Sequence, residues 1–314
     1  MKALVTGGAG FIGSHVVEAY LADGIGVAIV DDLSRGRVAN LAPQARFYRA
    51  DIRDQAALED VFAREKPDVV NHQAAQIDVR RSVAEPAFDA ECNILGSINL
   101  LGLAVKHKCQ RFVYASTGGA IYGEPKALPA NEETPAHPLA PYGISKLTVE
   151  HYLFTYNALY GIPYVVLRYG NVYGPRQSSK GEAGVVAIFS EQIIAGITPT
   201  IYGDGSKTRD YVEVSDVARA NVQALKRGDN EIFNVATGLP TTDYEVFAHV
   251  RDALGATSLE PRFAPKRPCE VNHIHLDVSK AKLGLNWEAQ VPIAEGIRRT
   301  MEWFKREQLL TSEK

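Results

Sequence analysis

The chain has 314 residues, 46% of them hydrophobic and 23% charged, which is the make-up of an ordinary globular protein long enough to bury a large core. Its 34 Lys and Arg against 37 Asp and Glu leave a net charge of −3, and no basic run or aromatic-basic alternation occurs, so a nucleic-acid partner is not expected. No stretch reads as a twenty-residue apolar span and no signal peptide is evident, so no membrane partner is expected. Cys92, Cys109 and Cys269 are too few and too scattered for a disulfide framework or a zinc site, which makes a reducing cytoplasm the default and leaves no metal site to propose.

Taken in chain order, Lys2–Thr6 reads as a buried strand and Phe11–Ala22 as a helix with Ile12, Val16, Ala19 and Tyr20 as its apolar positions. Val27–Asp31 and Arg46–Asp51 are further strands. Ala56–Lys66 is a helix stopped by Pro67, and Asp68–Asn71 begins a fourth strand. Phe88–Lys106 is a long helix after Pro86, Arg111–Thr117 a fifth strand, Tyr142–Tyr160 a helix ended by Gly161, and Tyr164–Tyr169 a sixth strand. Near-continuously apolar strands alternating with helices indicate a parallel sheet covered on both faces, an α/β fold of the Rossmann-type doubly wound kind. After Asn171 the pattern loosens. Strands Thr200–Tyr202 and Ile232–Val235 alternate with helices Val185–Ala195, Ser215–Arg227, Tyr244–Leu254 and Ile293–Arg306. We read a dinucleotide-binding domain over 1–170 and a smaller C-terminal α/β substrate-binding lobe over 171–314, with strands free to interleave.

Between the first strand and first helix runs Val5-Thr6-Gly7-Gly8-Ala9-Gly10-Phe11-Ile12-Gly13. Gly7, Gly10 and Gly13 differ by one residue in the first interval from the Gly-x-Gly-x-x-Gly dinucleotide turn. Such a turn lets the backbone approach a pyrophosphate at a helix N-terminus. Asp31, ending the second strand, is placed to accept the adenosine ribose hydroxyls and to repel a 2′-phosphate, and Asp32 adds to the repulsion. Arg35 and Arg37 pull toward NADP, but the carboxylates favour NAD. Asp51-Ile52 is placed either to approach the adenine or merely to end a strand.

Tyr142 and Lys146 stand four apart on a helix and therefore share a face. An ammonium beside a phenol stabilises the phenolate and suits the tyrosine to acid–base work. Tyr122 and Lys126 have the same spacing, but Pro125 breaks a helix between them. Ser116 and Thr117 end the fifth strand, where parallel sheets bind ligands. Their hydroxyls are candidates for the same substrate oxygen as Tyr142, or for a turn before Gly118-Gly119.

With these motifs stand Thr6–His15, Asp31–Ser34, His72–Ala75, Asn93, Ala115–Thr117, Pro141–Lys146, Leu167–Gln177, Tyr202–Gly205, Arg209–Val212 and Arg267–Glu270. On them the chain resembles the extended short-chain dehydrogenase/reductases acting on nucleotide sugars, and among these the UDP-glucose 4-epimerases. The resemblance implies that Tyr142 is the acid–base at the sugar 4-hydroxyl, that Lys146 holds the nicotinamide ribose, and that Thr117, with Ser116 beside it, assists. It places Phe11, Ile12, Ala74 and Asn93 with the glycines, Asp31, Asp51 and Ile52 around NAD. It gives Asn171, Arg209 and Arg267 to the substrate diphosphate, Glu270 to the ribose and Tyr202 to the uracil stretch. Read without it, Arg209 is a salt-bridge partner of Asp210 and Arg267 a solvated charge. Ile274 aligns where a bulky residue limits the sugar 2-substituent, so an N-acetyl group has room. Cys269 replaces a usual glycine.

The implied reaction removes the 4-hydrogen as hydride to NAD and returns it to the other face of a rotated 4-keto sugar. The alternatives are a 4-epimerase of UDP-GlcNAc, UDP-glucuronate or a UDP-pentose, a dehydratase or decarboxylase, and a non-catalytic NAD-binding regulator. A dehydratase resembles Thr-Asp-Glu where this chain has Thr117-Gly118-Gly119. A homodimer is implied through helices 88–106 and 142–160, the second carrying Leu147, Tyr152, Leu153, Tyr156 and Leu159. His72, His137, His273 and His275 are read as ordinary polar positions.

Overall fold

Successive residues of β1 (Lys2–Thr6) face two different cores, and that alternation organises the molecule. Ala3 and Val5 point to one side of the sheet and Leu4 to the other. The same split recurs in β2 (Gly26–Asp31), where Val27 and Ile29 oppose Ala28 and Val30. Residues 1–178, 184–266 and 271–312 are described in the computed structural model.

The turn after β1 leads into α1 (Phe11–Ala22). Beyond β2 lie β3 (Arg46–Arg49) and α2 (Gln55–Glu65), which Asp54 caps by accepting from the Ala57 amide at 3.0 Å. Then come β4 (Val69–His72), α3 (Val79–Ala84), α4 (Pro86–Ala90), a π-helical turn over Glu91–Leu95, α5 (Gly96–Lys106), β5 (Arg111–Thr117) and α6 (Gly118–Ile121). The long helix therefore starts at Pro86 rather than Phe88, because proline is well placed at the first helical position. It also corrects the expectation about apolar length. Pro86–Lys106 is long and apolar enough by length and composition to cross a membrane. In this fold Leu100, Leu101, Leu103 and Ala104 bury that apolar character in the core shared with the sheet.

Next are α7 (Pro141–Tyr160), β6 (Tyr164–Tyr169), β7 (Asn171–Tyr173), α8 (Val185–Ile194), β8 (Thr200–Tyr202), β9 (Thr208–Glu213) and α9 (Val214–Ala224). The chain finishes with β10 (Glu231–Val235), β11 (Pro240–Thr242), α10 (Asp243–Ala253), β12 (Arg262–Ala264), α11 (Ser279–Gly284) and α12 (Ile293–Ser312).

Seven strands form one parallel sheet in the order β10-β6-β5-β4-β1-β2-β3. The direction of winding reverses between β1 and β4, which opens a crevice at their carboxyl ends. α1 and α9 cover one face through Val16, Val17, Val217 and Ala220, and α2, α5 and α7 cover the other through Phe62, Leu101 and Val149. The two lobes are thus not successive in the chain. α9 and β10 lie beyond residue 170 and return to the first lobe. A buried polar network fastens that return: Asn71 Nδ2 donates to Asn221 Oδ1 at 2.8 Å, and Asn221 Nδ2 donates to the Tyr169 hydroxyl at 2.8 Å. The smaller lobe holds a three-stranded sheet β11-β9-β7 and a two-stranded sheet β12-β8. Its own core brings Phe189, Phe247, Ile297 and Met301 together.

Candidate active site

The glycine turn sits at the crevice. Gly7 has φ +68, a left-handed conformation, and a Cβ there would lie 2.8 Å from the Ala74 amide nitrogen. A Cβ on Gly13 would overlap the carbonyl oxygen of Gly7. Both glycines are therefore required by close backbone approach. Gly10 is the N-cap of α1 and offers no side-chain cap, so the first-turn amides of Phe11, Ile12 and Gly13 have no side chain bonded to them. That is a cradle shaped for an anion.

Asp31 is buried at the end of β2. Its two carboxylate oxygens accept from the Ala9 amide at 3.0 Å and the Leu33 amide at 2.8 Å. Burial raises its pKa, and these two amide bonds oppose the rise. Arg35 and Arg37 are engaged by carboxylates, Arg35 with Asp78 at 3.6 Å and Arg37 with Glu307 at 3.6 Å. Asp51 forms an ion pair with Arg53 at 2.6 Å, and Ile52 packs over Gly96, where a Cβ would come within 2.7 Å. The residues present fit a dinucleotide: a backbone cradle for the pyrophosphate, a carboxylate for the ribose, and an apolar Ile52 surface beside α5.

The acid–base candidates lie along one face of α7. Tyr142, Lys146 and Glu150 are spaced i, i+4, i+8 and run beside the end of β5. The Tyr142 hydroxyl bonds the Thr117 side chain, Lys146 Nζ donates to the Ala115 carbonyl at 2.8 Å, and Glu150 Oε1 accepts from Ser116 Oγ at 2.6 Å. Burial pushes the Tyr142 pKa up, with the Asp89 carboxylate adding to the rise and the Thr117 bond opposing it. Burial brings Lys146 down to about 8, against the pull of Asp89 and Glu150.

The placement of Ser116 is a correction. Adjacent residues of a strand point to opposite faces, so only one of Ser116 and Thr117 can meet Tyr142. Ser116 is buried instead in a structural cluster in which Arg168 Nη2 contacts Glu150 Oε2 at 2.6 Å and Arg168 Nη1 donates to the Tyr122 hydroxyl at 2.9 Å. Tyr122 is thereby a core residue, whereas Lys126 is exposed, and the two form no second acid–base pair.

Ala74 follows β4 beside the glycine turn, its amide donating to Thr6 Oγ1 at 3.2 Å. His72 sits behind it, between Thr6 Oγ1 at 2.7 Å and Ser97 Oγ at 2.9 Å. Burial, and after it the Lys146 charge, lower its pKa to about 3. Asn93 lies in the π-helical turn and bridges the helix to the loop after β4, giving Nδ2–H to Gln76 O at 2.9 Å and taking the Gln76 amide at 2.8 Å.

From the smaller lobe, Asn171 opens β7 beside the Thr117 loop, 3.3 Å from where a Gly119 Cβ would stand. Arg209 forms no ion pair with Asp210. Its guanidinium donates to the carbonyls of Val271 at 2.6 Å, Thr208 at 2.9 Å and Asn272 at 3.3 Å. Asp210 is buried on the Thr237, Gly238 and Leu276 amides. Tyr202 ends β8, half-buried and paired with Ala264 in register. Ile274 is buried with Ile121, Tyr122 and Leu276. Arg267, Cys269 and Glu270 lie outside the described residues. Sequence reasoning passed over Asp89 and Glu150. The spacing of Glu150 from Lys146 was legible, but Asp89 gains its neighbours only through packing.

A parallel doubly wound sheet with a glycine cradle at its switch point and a Tyr-Lys pair at the end of β5 defines a dinucleotide-dependent enzyme of sugar-nucleotide type. The family model described as "NAD dependent epimerase/dehydratase family" matches residues 3–236, and the chain belongs to that family. It is 46% identical over 311 residues to the UDP-glucose 4-epimerase of Mycolicibacterium smegmatis, covering 97% of this chain and 99% of that one. Among solved structures it is similar to the UDP-glucose 4-epimerase of Thermotoga maritima with UDP-glucose, at 48% identity and a TM-score of 0.96 over 98% of this chain and 100% of that one. It is also similar to the Thermus thermophilus UDP-glucose 4-epimerase in complex with NAD, at 45% identity and a TM-score of 0.92 over 97% and 99%.

Proposed function

We propose that this chain is an NAD-dependent UDP-glucose 4-epimerase, interconverting UDP-galactose and UDP-glucose. The observation that carries the reading is the row at the end of β5: Tyr142 on Thr117, with Lys146 one helical turn away on the same face. NAD, when bound, supplies a hydride acceptor at the sugar C4 and gives the hydride back. Tyr142 takes the proton of the 4-hydroxyl and later returns it, Thr117 orients that oxygen, and the buried Lys146 ammonium favours the phenolate. Gly118 and Gly119 follow Thr117 where a dehydratase would need carboxylates. A Cβ on Gly118 would overlap the end of the Leu276 side chain, so a longer side chain there would have to displace Leu276.

Anomeric-proton NMR of UDP-galactose with purified protein and no added cofactor tests this. UDP-glucose should appear and reach one ratio from either direction. Silence with and without added NAD overturns the hexose reading. A second reading, a 4-epimerase that also accepts UDP-GlcNAc, is favoured by Ile274, whose side chain is smaller than tyrosine. Failure to turn over UDP-GlcNAc at high enzyme concentration rejects it.

Asn171, Arg209, Arg267, Glu270 and Tyr202 are proposed to hold the UDP moiety, supported by the position of Asn171 beside Thr117. The homodimer is proposed through α7 and the 86–106 helix. Ile144, Tyr152, Phe154 and Leu159 of α7 and Leu95 beside them are exposed, whereas Leu153 is inside the core. Light scattering should give twice the chain mass, and a monomer that retains full activity rejects this proposal. The cytoplasm is proposed as the location, supported by the free thiols Cys92 and Cys109.

A further inference from the structure

Asp89 sits on α4 with 1% of its surface exposed, and its Oδ1 accepts from Gln76 Nε2 at 3.0 Å and from Asn93 Nδ2 at 3.0 Å. Both donors are uncharged amides. They satisfy the oxygen's hydrogen-bonding capacity and leave its negative charge acting on its surroundings. The same Asn93 amide reaches Ser145 Oγ at 3.3 Å, and Ser145 Oγ donates to the Tyr142 carbonyl at 2.9 Å. Asp89 is thus tied by hydrogen bonds to the turn of α7 that carries the acid–base pair. Asn93 lies in the π-helical turn of the helix that packs beside α7.

The charged and titratable groups facing Lys146 come from four elements. α7 itself brings Tyr142 and Glu150, and α4 brings Asp89. β5 brings Tyr114, whose ring centroid is 4.9 Å from the ammonium, and β4 brings the neutral His72. Glu150 is already neutralised by Arg168, the two side chains being 3% and 5% exposed. Asp89 and Glu150 both favour the ammonium against the burial that disfavours it.

We propose that Asp89 is a positioning residue for the Tyr142–Lys146 pair: its buried carboxylate, held by Gln76 and Asn93 and tied through Ser145 to the Tyr142 carbonyl, sets the negative potential at that pair. The inference rests on the reading of that pair as the acid–base machinery. The same carboxylate also disfavours the Tyr142 phenolate. It therefore holds both proton-transfer groups at higher pH than burial and Lys146 alone would set.

The test is the pH dependence of kcat for UDP-galactose epimerisation in the wild type, Asp89→Asn, Asp89→Glu and Gln76→Leu. Removing the charge should move both limbs of the bell to lower pH by about one unit. Asp89→Glu should restore the wild-type position. Gln76→Leu keeps the charge and should lose height without moving. A bell for Asp89→Asn that is lower but unmoved overturns the proposal and makes Asp89 structural. Should that variant not fold, Asp89→Ser makes the same comparison with a smaller side chain.

Thermal unfolding against pH reads the same ionisation without a substrate. Stability rises with pH once the folded Lys146 gives up its proton, and that rise should start at lower pH in Asp89→Asn. If UDP-galactose is not turned over but this onset moves, the functional reading fails and the inference stands. If the onset coincides with that of the wild type, the inference fails.

Discussion

The Lys146 ammonium donates to the main-chain carbonyl of Ala115 at 2.8 Å, two residues before the Thr117 that bonds Tyr142. One helix face thereby reads three successive residues of β5 in reverse spatial roles: Thr117 at the reaction end, the Ala115 carbonyl one turn on, and Ser116 on the Glu150 cluster a turn further. The site is a docking of α7 on β5, and its energetics follow from the burial of that seam.

Lys146 illustrates the cost. Its pKa is about 8 in the folded protein against 10.5 when unperturbed. Between those values the unfolded chain holds more protons, so stability rises with pH through that window. Below about pH 8 the buried charge costs on the order of 3 kcal/mol. Lys146→Met should therefore abolish the rise of stability with pH across that window while lowering kcat by roughly 10²-fold or more. Calorimetry across pH and epimerisation assays on the same preparation check both effects. A rise that persists in the variant would place it on another group.

The two hydroxyls at the end of β5 should separate cleanly. Thr117→Val removes the bond to Tyr142, and kcat should fall roughly 10²-fold with little change in stability. Ser116→Ala removes one hydrogen bond from a buried carboxylate and should cost about 1–3 kcal/mol while kcat stays within about twofold of wild type. Steady-state kinetics with urea unfolding distinguish the pair, and equal kinetic losses would contradict the assignment.

Arg168 and Glu150 form a buried ion pair, and breaking it from one side strands a charge. Arg168→Met should destabilise the protein by about 3–5 kcal/mol. Adding Glu150→Gln should recover part of that loss, since the stranded charge is gone. A double variant no more stable than Arg168→Met would place the cost in lost packing instead.

The cofactor turn makes two statements about NAD. Gly13→Ala places a methyl group on the Gly7 carbonyl and should abolish NAD binding. Asp31→Ser removes the carboxylate that opposes a 2′-phosphate and should raise the NADPH-to-NADH affinity ratio by about tenfold, read by fluorescence of the bound reduced cofactor. Because Asp31 also holds the Ala9 and Leu33 amides, the Tm should fall as well, and the ratio of affinities is the diagnostic quantity.

What the sequence determined alone is what depends on neighbours in the chain. The closeness of Gly13 to Gly7 is local steric chemistry, the shared face of Tyr142 and Lys146 is helical spacing, and the near-continuous apolar strands require burial on both sides. Its element limits for β1, α1, β5 and β6 coincide with the structure for the same reason. What only the tertiary structure decided depends on packing between distant segments. The return of α9 and β10 to the first sheet crosses the expected boundary at residue 170. It is made by the pairing of β10 with β6, the packing of α9 on the sheet and a polar network joining Asn71, Tyr169 and Asn221, contacts between segments far apart in the chain. Strand alternation states that Ser116 and Thr117 face apart, but only the height at which α7 docks on β5 selects Thr117 for Tyr142. Asp89 reads as an ordinary helical acid until folding buries it beside Asn93. Its charge then reaches Tyr142 and Lys146 through a desolvated interior rather than through water.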